Sequence, residues 1–291
     1  MIFKLLFLTL WLGACAQVPR VSERVDFANS ITSQQGWKPE EIKADLFTLR
    51  AYLPYVPKKT EILNVYIEGD GLAWVNSSTP SFDPTPANPL ALKLALLDTN
   101  ASAYLARPCQ FTGAEQQLGC AKKYWTSHRF APEVIAASNE GVNQLKLRFS
   151  ANQVRLIGYS GGGAVAALVA ARRDDVVQLV TVAGNLDHAA WTRQHRMSSL
   201  SGSLNPAEAW ERLQEIPQRH YVGGKDTVID ESVVDAYVAR YPMNKKPIII
   251  TIATFDHHCC WESFWPTIVE SKFGDISSSN NTTIFKVKNL K

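Results

Sequence analysis

Short apolar runs of strand length and longer stretches with apolar residues at helical spacing alternate through most of this chain. The runs 46–53 (LFTLRAYL), 62–68 (ILNVYIE), 101–107 (ASAYLAR), 154–159 (VRLIGY), 176–183 (VVQLVTVA), 219–222 (RHYV) and 247–253 (PIIITIA) read as strands. The first alternates apolar with polar residues and stops at Pro54 and Pro57, which predicts an edge strand. The runs 176–183 and 247–253 are apolar almost throughout, as strands covered on both faces are. Helical patterning occupies 90–98, 132–149, 163–171, 232–240 and 262–272. Strands alternating with helices predict an α/β fold with a mainly parallel central sheet and helices on both faces. Two stretches interrupt the rhythm. The segment 17–43 is polar with weak periodicity and reads as a tether followed by a short leading helix. The segment 184–216, irregular and rich in Trp, Ser and Asn, reads as a small lid. The expected organisation is therefore a segment 15–45, a catalytic-sized domain 46–273 and a polar tail 274–291.

A chain of 291 residues, 46% of them hydrophobic and 20% charged, is long enough for one sizeable core. Its formal net charge is +3, with Lys and Arg scattered rather than grouped, which argues against nucleic acid as a partner. Residues 1–14 hold one lysine, Lys4, and then a brief apolar run too short to span a bilayer, the pattern of a signal segment. It closes on Leu12-Gly13-Ala14-Cys15, which resembles the lipobox of bacterial lipoproteins. That resemblance implies a signal peptide 1–14, lipid on Cys15, and retention in the cell envelope; Ala16 after the cysteine implies the periplasmic face of the outer membrane. Four cysteines remain. Cys109 and Cys120 would close a short loop and are the preferred disulfide; the adjacent Cys259 and Cys260 are either a vicinal bridge or two free thiols.

Candidate chemistry gathers just after strands. Gly158-Tyr159-Ser160-Gly161-Gly162 fits G-x-S-x-G, with a strand before it and a small-residue helical run after it. Strand, tight turn carrying Ser, then helix is the setting in which a serine hydroxyl is lifted clear of a sheet as a nucleophile. Gly223-Gly224-Lys225-Asp226 and Phe255-Asp256-His257-His258 each follow a later strand, and Glu68-Gly69-Asp70-Gly71 follows an earlier one. Functional residues of parallel sheets collect at the carboxyl ends of strands, so four signals fall on one sheet edge. Over roughly 47–272 the chain resembles the α/β-hydrolase fold, whose order is nucleophile, acid, histidine. The resemblance implies Ser160 as nucleophile, His257 as base and Asp226 as the acid that orients it. Asp187, after the strand preceding the lid, is the alternative acid, and His258 the alternative base. The resemblance also implies an oxyanion site built from the amide of Gly161 and from the loop holding Asp70 and Gly71, with Glu68 standing where the family frequently has His.

Two other readings of 256–259 (DHHC) are declined. Protein palmitoyltransferases carrying that signature are multi-spanning, with a cysteine-rich zinc domain, and this chain has neither. Four consecutive residues also cannot close on one tetrahedral ion, so no metal and no cofactor is expected. The expectation is a membrane-anchored serine hydrolase acting on a small-molecule or lipid ester, thioester or related acyl bond. A peptidase on the same fold, or a catalytically silent envelope binding protein, are the alternatives.

Overall fold

In the computed structural model, residues 18–271, 273 and 285–288 are described. The expected signal segment 1–14, Cys15 and most of the tail 274–291 lie outside the described residues. Among the described residues, no helix is long and apolar enough to cross a membrane.

Among the described residues, nine strands form one sheet in the order β1-β2-β4-β3-β5-β6-β7-β8-β9. They are β1 (Trp37–Ala44), β2 (Phe47–Pro54), β3 (Ile62–Ile67), β4 (Ser102–Leu105), β5 (Gln153–Tyr159), β6 (Val176–Val182), β7 (Gln218–Gly223), β8 (Ile248–Ile252) and β9 (Phe285–Lys288). The six strands β4-β3-β5-β6-β7-β8 run parallel to one another; β1, β2 and β9 join by antiparallel pairing at the two edges. The parallel strands β3, β5 and β6 are buried along most of their length, because helices cover both faces.

Eight α-helices among the described residues accompany the sheet: α1 (Val21–Gln34), α2 (Leu90–Leu96), α3 (Pro132–Arg148), α4 (Gly161–Ala170), α5 (His188–Gln194), α6 (Trp210–Leu213), α7 (Glu231–Val238) and α8 (Trp261–Glu270). Apolar residues of α3, α4 and α7 share one hydrophobic cluster with one face of the sheet. Those of α1, α2 and α8 share a second cluster with the other face. All ten residues of α4 are buried, which its Gly, Ala and Val composition permits by letting the helix lie close on β3 and β6.

The structure departs from the sequence reading at both ends. Residues 37–44, read as part of a leading segment, form the edge strand β1, and β2, expected at the edge, lies inside it. The burial pattern of β1 explains why periodicity missed it: only Trp37, Ile42 and Ala44 are buried, and Lys38, Glu40, Glu41 and Lys43 face outward or lie half-buried. Charged edges of this kind deter pairing with other chains. Within the tail, 285–288 add β9 to β8. The segment 184–216 holds α5 and α6 joined by turns. It is tied to the loop after β4 by hydrogen bonds from the Leu204 amide to the Phe130 carbonyl and from the Phe130 amide to Ser203 Oγ. Cys109 and Cys120 form a disulfide, as do the adjacent Cys259 and Cys260.

Candidate active site

Ser160 occupies the turn between β5 and α4 with φ 52° and ψ −123°, a left-handed conformation that costs a residue with a Cβ about 1–3 kcal/mol. The surrounding glycines make the turn possible by close approach. A Cβ on Gly158 would lie 2.3 Å from the Gly162 carbonyl oxygen, and one on Gly162 would lie 2.3 Å from that of Ile67. The strand, the turn and the start of α4 are therefore pressed against one another and against the end of β3. Ser160 itself is half-buried, with its hydroxyl toward the rim formed by the carboxyl ends of the parallel strands.

His257 reaches that hydroxyl from the loop after β8: Nε2 is 3.0 Å from Ser160 Oγ and Nδ1 is 2.8 Å from Asp226 Oδ2. The other oxygen of Asp226 accepts the amides of Val228 and Ile229, each at 2.8 Å, so the carboxylate is fixed by its own turn before it meets the ring. An ionised carboxylate accepts only, so Nδ1 carries the proton and Nε2 is left to accept from the serine. His257 and Asp226 are both buried. The ring of Tyr159 packs against that of His257, and its hydroxyl donates to the His257 carbonyl.

The two alternatives are placed elsewhere. His258 meets the Tyr159 hydroxyl at 3.0 Å through Nδ1; burial, then the neighbouring His257, lower its pKa. Asp187 caps α5, accepting the amides of Ala189 and Ala190 and the side-chain amide of Asn205. Asp256 accepts the amides of His258 and Cys259 and so shapes the histidine turn.

On the other side of Ser160 lies the loop 68–71. The amides of Asp70, Gly71 and Gly161 have no partner among the described residues. Gly69 packs against Ser160, a Cβ there falling 3.3 Å from Ser160 Cβ. Gly71 turns with φ 63° under the Pro84 carbonyl. The Asp70 carboxylate bonds Arg107 through one oxygen and Arg129 through the other. Burial alone would push this carboxyl up; the two guanidiniums outweigh it and hold it below the usual carboxylate range. Glu68 lies beneath the loop, wholly buried, accepting the Gly69 amide at 2.9 Å and the Tyr104 hydroxyl at 3.2 Å. Burial pushes its pKa up to about 7. No group of three or more His, Cys, Asp or Glu is placed to hold a metal ion among the described residues.

No family model matches the chain, and no curated protein matches it. Solved structures do. Est1E from Butyrivibrio proteoclasticus superposes with a TM-score of 0.55 at 15% identity, over 81% of this chain and 97% of its own. An esterase from Pyrococcus furiosus gives 0.55 at 15%, over 82% and 88%. The acylaminoacyl peptidase from Pyrococcus horikoshii gives 0.55 at 10%, over 88% of this chain and 45% of its own. This chain has the α/β-hydrolase fold. At such identities the likeness concerns architecture alone. In the α/β-hydrolase sheet of this chain, Ser160 follows β5, Asp226 follows β7 and His257 follows β8. Arg107 and Arg129 are the site residues that sequence reading missed. Arg107 stands just after β4, at the same sheet edge as the others, and that position was the available signal.

Proposed function

We propose that the protein is a serine hydrolase that cleaves an ester, thioester or related acyl bond through an acyl-enzyme on Ser160. The observation that carries this reading is the hydrogen-bonded line from Ser160 Oγ through both ring nitrogens of His257 to Asp226. A serine hydroxyl attacks a carbonyl only if its proton is taken in the same step. His257 Nε2 receives that proton as the Oγ–C bond forms, and Asp226 stabilises the resulting imidazolium. The charge that develops on the carbonyl oxygen is met by the amides of Gly161 and of Asp70 or Gly71. The imidazolium then protonates the leaving group as the C–O or C–S bond breaks, and water repeats the sequence on the acyl-enzyme. His258 and Asp187, each committed to another contact, take no part.

The test is labelling of the purified protein with a fluorophosphonate, alongside turnover of p-nitrophenyl esters of graded chain length and of peptide p-nitroanilides. Ser160→Ala should abolish labelling and lower kcat at least 10³-fold. Labelling that persists in Ser160→Ala, or is absent from the parent at neutral to mildly alkaline pH, overturns the reading. The fold neighbours include an acylaminoacyl peptidase, so the anilides are the arm that separates a peptidase from an esterase.

The lipobox-like Leu12-Gly13-Ala14-Cys15 supports a lipid anchor on Cys15 and a site of action at the bacterial envelope. Several acyl chains bury enough methylene groups for stable membrane attachment. Cys15→Ser should move the protein from the membrane fraction to the soluble fraction; a variant still sedimenting with membranes would rule the anchor out.

A further inference from the structure

The loop facing Ser160 is held by an ion cluster that the relay does not use. The Asp70 side chain is 23% exposed, whereas those of Arg107 and Arg129 are 5% and 6% exposed. Arg107 also donates to the Arg129 carbonyl, and Arg129 Nε donates to the Thr126 carbonyl at 2.8 Å. The Arg107 guanidinium lies over the Phe130 ring and that of Arg129 over Trp191. A second tie runs through the backbone: Gln110 Nε2 donates to the Gly69 carbonyl at 2.9 Å, while its Oε1 accepts the Arg107 amide at 3.1 Å. Two of the residues flanking the Asp70 amide, its own side chain and the Gly69 carbonyl, are thus fastened to the loop after β4.

The cluster also touches the turn between β5 and α4 that carries Ser160. A Cβ on Gly161 would fall 2.1 Å from Asp70 Oδ1 and 2.8 Å from Arg107 Nη1. A lone carboxylate there, beside the Gly161 amide, would repel any negative charge formed between the two loops. Two guanidiniums against one carboxylate reverse the sign and leave these three side chains with a net charge of +1 at a buried spot, where electrostatic effects are little screened; Glu68 beneath the loop, whose charge also acts on Arg107, offsets part of it as its carboxyl ionises near pH 7.

We propose that Asp70, Arg107 and Arg129 form a clamp that aims the Asp70 amide at the reacting carbonyl oxygen and keeps the oxyanion site positive. In this role the three side chains are positioning residues: they act through the amides of Asp70 and Gly161. The proposal rests on the serine-hydrolase reading and extends it to residues outside the relay. An amide donor displaced by a fraction of an ångström loses its effect on the transition state and little of its effect on the bound substrate, so the clamp should be visible in kcat and not in KM.

The experiment uses the full chain, a p-nitrophenyl ester, and a trifluoromethyl ketone that forms a hemiketal oxyanion on serine. Fluorophosphonate labelling of the parent at Ser160 is the first arm; if it fails, the hydrolase reading has failed and not the clamp. Asp70→Ala, Arg107→Met and Arg129→Met should each lower kcat about 10²-fold with KM changed less than threefold. Affinity for the ketone should fall by the same factor as kcat. Arg129→Lys, which keeps the charge and loses the fork, should recover about tenfold of the Met variant's loss. Should any of the truncated variants fail to fold, Asp70→Asn and the Lys variants, followed with their thermal midpoints, carry the same comparison. Full kcat in Asp70→Asn and Arg129→Lys together with unchanged ketone affinity would overturn the clamp. A loss borne by KM, or confined to esters with a negatively charged acyl group, would overturn it too, making the arginines substrate contacts instead.

Discussion

A carboxylic acid with a hundredth of its surface exposed sits directly under the loop that faces Ser160, and its protonation is coupled to folding. Glu68 is ordinary in the unfolded chain, where it releases its proton near 4.5, and reluctant in the folded one, where burial moves that release to about 7. The folded state therefore holds a proton that the unfolded state has lost. Its contribution is complete below about pH 4.5 and disappears as pH rises to 7, a decline of about 3 kcal/mol. Glu68→Gln keeps the acceptor for the Gly69 amide and removes the titration. Urea unfolding between pH 5 and 7.5 should show the parent losing stability relative to this variant, and parallel curves would refute the assignment. His220, buried with its pKa lowered to about 3, slopes the opposite way, losing stability as pH falls below 6.5, so the difference between the two proteins is the quantity to read. At this scale the sequence was informative about side chains whose chemistry depends on chain order: Ser160, Asp226 and His257 were singled out, and His257 lies within hydrogen-bonding reach of the other two. For Arg107 it offered only a position just after a strand, and for Arg129, in the loop before α3, not even that, because an arginine there looks the same whether it meets water or a carboxylate.

Between residue and molecule, the joint of β5, α4 and β3 is sensitive to a single atom. Gly162 has the carbonyls of Ile67 and Glu68 within 2.4 Å of where a Cβ would stand. Gly162→Ala must push α4 away from β3, and overpacking of this kind destabilises by about 2 kcal/mol. Because the displaced backbone carries Ser160 on one side and borders the 68–71 loop on the other, turnover should fall more than tenfold. Denaturant midpoints and p-nitrophenyl ester rates would check both effects, and an unchanged rate would mean that the turn tolerates the shift. The elements themselves were legible wherever burial on both faces demanded continuous apolar runs, as in β6 and β8. They were illegible where one face meets water: β1 buries only Trp37, Ile42 and Ala44 among eight residues, too thin a stripe to distinguish from a polar tether. The turns of 184–216 are held by hydrogen bonds to distant loops, which no local pattern encodes.

Across the whole molecule, alternation of strands and helices was enough to anticipate a parallel sheet covered on both faces, because only that arrangement buries so many apolar strands. The strand order was not anticipated. Placing β3 between β4 and β5 depends on long-range packing, seen in the contact between Arg155 and Asn64, 91 residues apart. That order has a consequence in time. The loop 68–71 is synthesised early, the strand that delivers Ser160 near the middle, and the base only at residue 257. Parallel pairings between distant segments form late and slowly, and no hairpin or short fragment contains the 68–71 loop, Ser160 and His257 together. A growing chain thus carries the 68–71 loop before Ser160, and Ser160 before His257. On the proposed reading, a chain that ends before β8 has Ser160 but nothing to take its proton, so ester turnover should begin only when that strand has joined the sheet.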